Sequence, residues 1–349
     1  MWSFGTKNST TNILTSLSPK PSRSPNSSAL NSSQQSNAKT NERDPDNRLS
    51  NHSGRHRTVL KAQAVDGLDV KTGQWYVDAT LGAGGHTEEI LLRQGRVVGL
   101  DHDQAAVSDV GRRLKTYVDK HQLVLVRENF AKMQDIIAQL QTKQEVGQIR
   151  GVLFDLGTSS DQLLDMERGF SFESDQLLDM RMDDRLGVTA ADLLAVLSVK
   201  QLAQLFRKYG GETRSKVVAQ QIVDRRQNGL PTTTGRQLAN LVVGLLGARR
   251  LLNIHPATKI FQALRIAVND ELNNLEQALP QAVAVLTAPA RLVTIAFHDG
   301  EDKLVKHFMT DQARHHGAQL LTKKVVKPTD QEILSNPRAR SARLRILAV

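Results

Sequence analysis

Residues 76–91 constrain the fold more than any other part of the chain, because they read as a buried strand, a glycine turn and a helix in succession. The first residues, YVDATL, form a largely apolar, β-prone run, and TEEIL opens a helix with acidic residues in its first turn. Between them Gly82, Gly84 and Gly85 remove the Cβ atoms that would keep the backbone away from a ligand. The pattern predicts a nucleotide-binding turn, and a glycine turn without any ligand is the alternative.

The spacing of this turn does not fit a dinucleotide. Thr87 stands where the phosphate-binding fingerprint has its third glycine, and His86 intervenes. Asp78, at the predicted strand end, adds a carboxylate that would repel a pyrophosphate. The turn therefore favours a cationic or zwitterionic nucleoside over NAD, and a nicotinamide dehydrogenase is the least favoured function.

Strand and helix patterns alternate from residue 74 to residue 157. Short apolar runs bounded by glycines and charges are typical of parallel strands that are covered on both faces. We predict strands over residues 74–81, 96–103, 122–129 and 151–157, with helices over residues 87–94, 104–119 and 130–141. This alternation predicts an α/β fold with a doubly wound, mostly parallel sheet.

The alternation stops after Asp155. Residues 163–256 carry several helical patterns and no convincing strand, which predicts an inserted all-helical subdomain. A helix over residues 257–278 returns the chain to the sheet, residues 291–300 form a fifth strand, and a helix covers residues 301–312. Strands over residues 319–328 and 343–349, flanking a loop, complete the sheet. Residues 56–162 and 257–349 are therefore expected to form one domain in two parts, the second with a basic C-terminal tail.

The amino-acid composition restricts the possible chemistry of the chain more than it restricts the possible fold. The chain has no cysteine, so thiolate metal sites and cysteine nucleophiles are excluded, and its net charge of +10 makes a polyanionic partner plausible. No run of about 18 apolar residues occurs, so no membrane partner is predicted. Residues 1–55 are rich in Ser, Asn, Thr and Pro and contain no acid before Glu42. They predict a disordered extension, which resembles an organellar transit peptide in composition.

The predicted strand ends carry acidic and polar residues, and ligands of open parallel sheets bind beyond those ends. Asp101 follows Gly82 at about the 20-residue distance at which an acid accepts the ribose hydroxyls, although a solvated acid is the alternative. Phe130 could stack on a base or pack into the core. Asp155, at the end of the fourth strand, is expected to touch both cofactor and substrate.

Other polar groups lie close to these ends in the sequence. The residues that follow Asp155 offer hydroxyl and amide hydrogen bonds, and they are Thr158, Ser159, Ser160 and Gln162. No G-x-S-x-G elbow surrounds the serines, which argues against a serine nucleophile. His298, after the fifth strand, could bind substrate or relay a proton, and a structural histidine fits equally well. Asp101, His102 and Asp103 lack a further ligand cluster, so no metal site is predicted.

Seven segments, in order, resemble one family. They are residues 76–86, 151–160, 167–172 (ERGFSF), 178–183 (LDMRMD), 255–272 (HPATKIFQALRIAVNDEL), 297–308 and 336–345 (NPRARSARLR). Together they are similar to the MraW/RsmH family of small-subunit ribosomal RNA (cytosine-N4)-methyltransferases, over residue 56 to the C-terminus. The mitochondrial branch, methyltransferase-like protein 15, is similar too and would suit the N-terminal extension, which makes the mitochondrion the expected location and the cytoplasm the alternative.

The resemblance implies a class I S-adenosylmethionine-dependent methyltransferase fold that methylates the exocyclic amine of a cytidine. Carried over residue by residue, the family's S-adenosylmethionine contacts fall on Gly84, Gly85, His86, Asp101, Phe130, Asp155 and Gln162. The sequence departs from the family pattern mainly on the substrate side. Asp161 stands where the family has proline, and the usual SFHSLEDR reads AFHDGEDK from Ala296 to Lys303. Target choice is therefore less well defined than methyl transfer.

For the catalytic step, we hypothesise that one carboxylate accepts a hydrogen of the target amine. The candidates are Asp155, Asp179 and Asp183, with Ser159 and Ser160 shaping the pocket and His298 beside it. The target base must be splayed or flipped out of its strand to reach the cleft. The expected partner is small-subunit rRNA or the ribosomal small subunit, and a homodimer is left open.

RNA phosphates are expected to contact basic residues of the tail and of the helical insertion. In the tail these are Arg338, Arg340, Arg343 and Arg345, and in the insertion they are Arg207, Lys208, Arg214 and Lys216. Two rival functions remain at this stage. One is a methyltransferase of the same fold that acts on a small molecule or a protein, and the other is a non-catalytic, RNA-binding ribosome assembly factor.

Overall fold

One seven-stranded sheet organises the part of the chain that the computed structural model describes, namely residues 58–158, 162, 165–247 and 255–349. The strands are β1 Trp75–Asp78, β2 Arg96–Asp101, β3 Leu123–Arg127, β4 Ile149–Asp155, β5 Leu286–Ala296, β6 Gln319–Leu320 and β7 Arg343–Ala348. Their order is β3-β2-β1-β4-β5-β7-β6, with β1 to β5 parallel and β7 antiparallel to both neighbours. The predicted fold class, a doubly wound and mostly parallel α/β sheet of the class I methyltransferase type, is confirmed.

Helices cover both faces of this sheet and form the segment between β4 and β5. They are α1 Lys61–Leu68, α2 Gly85–Leu92, α3 Gln104–Arg113, α4 Lys115–Asp119, α5 Met133–Thr142, α6 Ala190–Val196, α7 Val199–Gly210, α8 Ser215–Gln227, α9 Gly235–Leu246, α10 Thr258–Asn269, α11 Glu271–Val285, α12 Asp299–His315 and α13 Asp330–Ser335. Helices α6 to α9 lie within the predicted helical insertion. None of the described helices is both long enough and apolar enough to cross a membrane.

The central strands are buried on both faces, as their apolar runs require. All four residues of β1 are buried, and one hydrophobic cluster packs on each side of the sheet. Strand order reverses between β1 and β4, the point at which open α/β sheets bind their ligands. The parallel register sets Asp78 opposite Gly99 and Leu153, so the carboxyl ends of β1, β2 and β4 meet at one edge.

Several predicted elements were wrong in their extent. The helix expected over residues 104–119 is interrupted at Leu114, which leaves helical geometry and packs into the core. The helix expected over residues 257–278 ends at Asn269, because Asp270 adopts a left-handed conformation before α11 begins. The predicted strand over residues 319–328 is reduced to Gln319–Leu320, and the expected loop after it contains α13. Helix α1 was not predicted at all.

Two groups of predictions concern residues outside the described ranges. The disordered extension over residues 1–55 is one of them, and it stays a prediction. The other comprises Ser159 and Ser160, together with Asp161.

Candidate active site

The carboxyl ends of β1, β2, β4 and β5 open into a deep cleft with an empty volume of about 1230 Å³, including its open mouth. Its lining combines apolar residues with a few polar and charged ones, as is usual for a ligand site. Every residue predicted to contact the cofactor lines it, namely Gly84, Gly85, His86, Asp101, Phe130, Asp155 and Gln162. The structure therefore brings together side chains from four parallel strands and the loops that follow them.

The glycine turn between β1 and α2 shapes the floor of the cleft. Gly84 adopts a left-handed conformation with φ 72° as the N-cap of α2, where a Cβ atom would also press against Val110. A Cβ atom on Gly85 would overlap the hydroxyl of Thr58. The turn thus needs glycine at both positions, and it presents backbone rather than side chains to a ligand.

The residue at the third-glycine position has a structural role. The Thr87 hydroxyl donates a 2.7 Å hydrogen bond to Asp78 Oδ2, which ties the first turn of α2 to the end of β1. Asp78 is only 1% exposed and does not line the cleft, so the expectation that it faces the ligand is wrong. Burial raises the pKa of the Asp78 carboxyl, although His86 and Thr87 oppose that shift.

Asp101 is held by two backbone groups at the end of β2. The Gly82 N–H donates to Oδ2 at 2.8 Å, and the Asp103 N–H donates to Oδ1 at 2.9 Å. Burial raises the pKa of the Asp101 carboxyl. A carboxylate has about four lone-pair sites, so both oxygens can still accept further hydrogen bonds in the cleft.

Asp155 and His86 form the polar centre of the cleft. His86 Nε2 lies 3.4 Å from Asp155 Oδ2, and His86 is only 4% exposed. Within the described ranges, neither His86 ring nitrogen has a hydrogen-bond partner, and neither does Asp155 Oδ1. The Asp155 backbone N–H donates to Thr80 Oγ1 at 2.6 Å, which fixes the end of β4. Buried polar atoms without partners are costly, so this centre fits a polar ligand.

Gln162 is held by Asp103, whose carboxylate also pairs with Arg168, a residue that the sequence analysis did not single out. Its Nε2 donates to Asp103 Oδ2 at 2.9 Å, and the Arg168 guanidinium pairs with the same oxygen. Arg168 also donates to the carbonyls of Arg181 and Met182, at 2.9 and 2.7 Å. Arg168 therefore joins the end of β2 to the segment that carries the LDMRMD motif.

The wall opposite the glycine turn is built from α10, α11 and the start of α12. Arg265 donates to both carboxylate oxygens of Glu271, at 2.8 and 2.9 Å. His298 caps α12 through Nδ1, which accepts hydrogen bonds from Gly300 and Glu301 N–H groups, and its Nε2 lies 3.2 Å from Glu301 Oε1. Although burial opposes ionisation, His298 and Arg265 hold the pKa of the Glu301 carboxyl below its usual value.

This wall places His298 differently from the prediction. His298 is a helix cap and lines a neighbouring pocket instead of the cleft, which favours the structural alternative. Glu271, His298 and Glu301 do bring three metal-ligand atoms within 4.8 Å of one another. Arg265 already balances the Glu271 charge, however, and the cap uses one His298 nitrogen.

The two other predicted acceptor carboxylates lie outside the cleft. Asp179 accepts two 2.7 Å hydrogen bonds from the Arg181 guanidinium, and Asp183 pairs with Arg185 at 2.8 Å. Neither of them lines the cleft, although Met182 between them does. Of the three carboxylates proposed from the sequence, the structure places only Asp155 at the centre.

The predicted RNA-binding arginines divide into two pairs. Arg338 lines the mouth of the cleft and Arg340 is exposed, and neither forms a salt bridge to any described residue. Arg343 pairs with Asp299, and Arg345 pairs with Asp302 at 2.8 Å, so these two brace β7 against α12. The four basic residues predicted to bind RNA in the helical insertion are also exposed, and they are Arg207, Lys208, Arg214 and Lys216.

The rim of the cleft combines distant parts of the chain. Thr58 and Arg338 both line it, and the Leu60 N–H donates a 2.7 Å hydrogen bond to the Glu332 carboxylate. Among the lining residues, Asn269 and Glu271 were missed by the sequence reasoning. The only signal for them was their position within the long HPATKIFQALRIAVNDEL match, which does not say which side chains face a ligand.

Comparisons with known proteins agree on one family. The model of the MraW methylase family matches residues 53–349. The ribosomal RNA small subunit methyltransferase H of Syntrophotalea carbinolica is 40% identical over 313 residues, covering 84% of this chain and 97% of the relative. The protein of that name from a Cyanothece species is 43% identical over 295 residues, covering 83% and 93%. Likeness to solved structures is distant, as the rRNA methylase from Streptococcus thermophilus has a TM-score of 0.38 at 11% identity over 82% of this chain and 92% of that chain.

Proposed function

This chain belongs to the MraW methylase family, and we propose that it methylates the exocyclic N4 amine of a cytidine in small-subunit ribosomal RNA. Membership of this family and the relatives' activity make it an S-adenosylmethionine-dependent methyltransferase of small-subunit rRNA. The residues of the cleft support the choice of N4 as the methylated atom.

The cleft fits S-adenosylmethionine, whose sulfonium supplies an electrophilic methyl group when it is bound. The glycine turn offers unobstructed backbone for close approach, and Asp101 offers carboxylate oxygens for ribose hydroxyls. Phe130 meets Phe154 edge to face, with ring centroids 5.6 Å apart, and lines the position where an adenine ring could pack. The unpartnered nitrogens of His86 offer further polar contacts.

The observation that carries the N4 proposal is the free oxygen of Asp155. Oδ1 is buried at the end of β4 and accepts no hydrogen bond from any described residue, and Asp155 lines the cleft beside the glycine turn. A carboxylate oxygen without a partner in such a place suits an N–H donor on the substrate. The amine of cytosine is a donor of that kind.

The residues of the cleft can promote transfer to a weak nucleophile. The N4 lone pair is delocalised into the ring, so it must be held in line with the methyl group while charge shifts away from it. Asp155 Oδ1 accepts one amine hydrogen, orients the amine and stabilises the positive charge that develops on N4. As the new N–C bond forms and the bond between the methyl carbon and sulfur breaks, so that neutral S-adenosylhomocysteine would be left, the N4 proton can move to Asp155 Oδ1, which leaves a neutral methylated amine.

Methylation at C5 of cytosine is less compatible with this chain. That carbon becomes nucleophilic only after a nucleophile adds to the ring at C6, a step for which a thiolate is well suited. The chain has no cysteine, so no thiolate can make this addition. A positioned carboxylate beside an amine needs no covalent intermediate.

RNA binding would come from the exposed cations near the cleft. Arg338 and Arg340 form no salt bridge with the described chain, so their charge is available for phosphates. Because the target base must leave its stack to reach the cleft, we expect a single-stranded or locally opened segment of the rRNA as substrate.

The decisive experiment is nucleoside mass spectrometry of small-subunit rRNA after incubation of small ribosomal subunits with the full-length protein and S-adenosylmethionine. We expect N4-methylcytidine to appear with the protein and to be absent without it. A product methylated at another atom would overturn the N4 assignment. Binding of the RNA with no methylated product would instead favour the non-catalytic assembly factor.

We also propose a mitochondrial location, which the composition of residues 1–55 supports. Fusion of residues 1–57 to a fluorescent protein tests it directly. A signal spread through the cytoplasm would contradict the proposal.

A further inference from the structure

A second pocket, which we name the aromatic pocket, lies beside the cleft. Its apolar lining comes from the segment between β4 and α6, from α10 and from the residue after β5, namely Phe170, Phe172, Met180, Phe261 and Phe297. Phe172 meets Phe261 edge to face at 4.6 Å between ring centroids and stacks on His255 at 4.4 Å. Phe170 and Phe261 are buried, whereas Phe172 and Phe297 are partly exposed.

We propose that the aromatic pocket binds a nucleobase of the RNA strand next to the target nucleotide. The proposal rests on the proposed function, because it assigns a binding site for the same substrate. It adds a contact outside the cleft in which methyl transfer takes place.

The two pockets share one wall, which places them at neighbouring positions along a strand. Phe297 lines both of them. In the Arg265–Glu271 ion pair, Arg265 lines the aromatic pocket and Glu271 lines the cleft. In the neighbouring pair, His298 lines the aromatic pocket and Glu301 lines the cleft. Because this wall separates the aromatic pocket from Asp155, the base bound there is not the one that is methylated.

The lining of the aromatic pocket combines ring faces with hydrogen-bonding groups. Thr258 and Ser341 contribute hydroxyls, and Gln262 contributes an amide. Aromatic faces that stack on a base, with polar groups at its edge, are the usual means of recognising unstacked RNA bases. Ser341 belongs to the same short segment as Arg338 and Arg340, so cations for the adjoining phosphates are close in the chain.

One side of the pocket is held in a strained conformation. Met180 is in the left-handed region with φ 61°, which is uncommon for a residue other than glycine. The buried Asn269 amide fixes this turn, since its Nδ2 donates to the Met180 carbonyl at 2.8 Å and its Oδ1 accepts from the Met182 N–H at 2.7 Å. The same clamp sets Met180 in the aromatic pocket and Met182 in the cleft, so the two sites are built as a unit.

The test is a double-mutant cycle between a side chain and a base. The full-length protein, saturated with S-adenosylhomocysteine to prevent turnover, is titrated against a short oligouridine with one central cytidine. Two further oligomers carry an abasic residue directly 5′ or directly 3′ of the cytidine. Fluorescence anisotropy gives Kd for the wild type and for Phe172→Leu, Phe172→Tyr and Phe308→Leu.

We expect one of the two abasic oligomers to bind the wild type about tenfold more weakly, since stacking of one base is lost. Phe172→Leu should weaken binding of the intact oligomer by a similar factor, with little further loss on that abasic oligomer. Phe172→Tyr keeps the ring and should bind like the wild type. Phe308, which is partly buried on α12 and packs against the core, serves as the matched control, and Phe308→Leu should leave Kd unchanged.

Thermal unfolding of each variant verifies that it is folded. The proposal is overturned if Phe172→Leu is folded and binds the intact oligomer as tightly as the wild type, or if the abasic and Phe172→Leu effects simply multiply. These are binding measurements, so they do not depend on the chemistry of the product. Failure to find N4-methylcytidine in rRNA would reject the proposed reaction, but it would leave the result of the binding experiment unchanged.

Discussion

Replacing Asp155 with asparagine separates its chemical role from its structural one. The substitution keeps the shape of the side chain but can leave an amide group where an acceptor oxygen is needed. In the structure Oδ1 has no hydrogen-bond partner among the described residues, and the backbone hydrogen bond to Thr80 does not involve the side chain. The side-chain contact that would be altered is the 3.4 Å approach to His86 Nε2. We therefore expect the free energy of unfolding to change by less than about 1 kcal/mol.

The expected effect on the reaction is much larger. Removing one preorganised group that stabilises charge in a transition state costs about 3–4 kcal/mol, which corresponds to a rate lowered by a factor of about 10²–10³. The assay is single-turnover transfer of labelled methyl to small ribosomal subunits, with S-adenosylmethionine saturating so that weaker cofactor binding cannot mimic slower chemistry. Calorimetry measures the Kd of the cofactor separately.

Asp183→Asn is the matched control, because it removes the same charge from a carboxylate outside the cleft. Asp183 pairs with Arg185, so this variant should lose about 1–3 kcal/mol of stability while its single-turnover rate stays close to that of the wild type. A wild-type rate for Asp155→Asn would refute the reasoning. A rate lost in Asp183→Asn instead would move the acceptor role to the LDMRMD segment.

Three further predictions follow from the contacts around the cleft. Arg168→Met should lower the free energy of unfolding in urea by about 3–5 kcal/mol and weaken cofactor binding, because it removes the only cation paired with the Asp103 carboxylate among the described residues and the Arg168 donor of two carbonyls. Unchanged stability would contradict this. The raised pKa of Asp78 means that its folded form binds a proton more readily than its unfolded form, so the wild type loses stability as pH rises from the ordinary carboxyl pKa towards the raised one. Asp78→Asn should therefore gain in Tm relative to the wild type as pH rises through that window and lose the advantage in acid, and a pH-independent difference would contradict the assignment. Neutralising Arg338 and Arg340 together should flatten the slope of log K against log salt for RNA binding by about two units, whereas neutralising the two arginines that brace β7 should reduce stability instead.

The sequence predicted the side of the cleft that would hold S-adenosylmethionine, because the residues on that side directly follow the strands that position them. Asp101 and Asp155 directly end apolar strands, and parallel strands in register carry their last residues to one edge. The glycines between β1 and α2 revealed the turn for a similar reason, since only a few backbone conformations require them.

The opposite wall could not be predicted in the same way. Glu271 and Asn269 lie on helices more than a hundred positions after Asp155, and helical periodicity does not tell which partner a polar face will meet. The orientation of Asp78 was also misjudged, because successive side chains of a strand point to opposite faces and a strand-end acid can lie beneath a ligand site as easily as in it. Helix α1 escaped prediction because its eight residues are too few to show a clear period.

The hydrogen bond from Leu60 to Glu332 joins residues 272 positions apart, close in the chain to Thr58 and Arg338, which both line the cleft. Closing a loop of that length costs chain entropy that only the completed tertiary structure can offset, so this junction is expected to form late in folding and to open early in local fluctuations. A molecule seated in the cleft touches both sides of the junction. Amide hydrogen exchange in the segments around Leu60 and Glu332 should therefore slow together when S-adenosylmethionine binds.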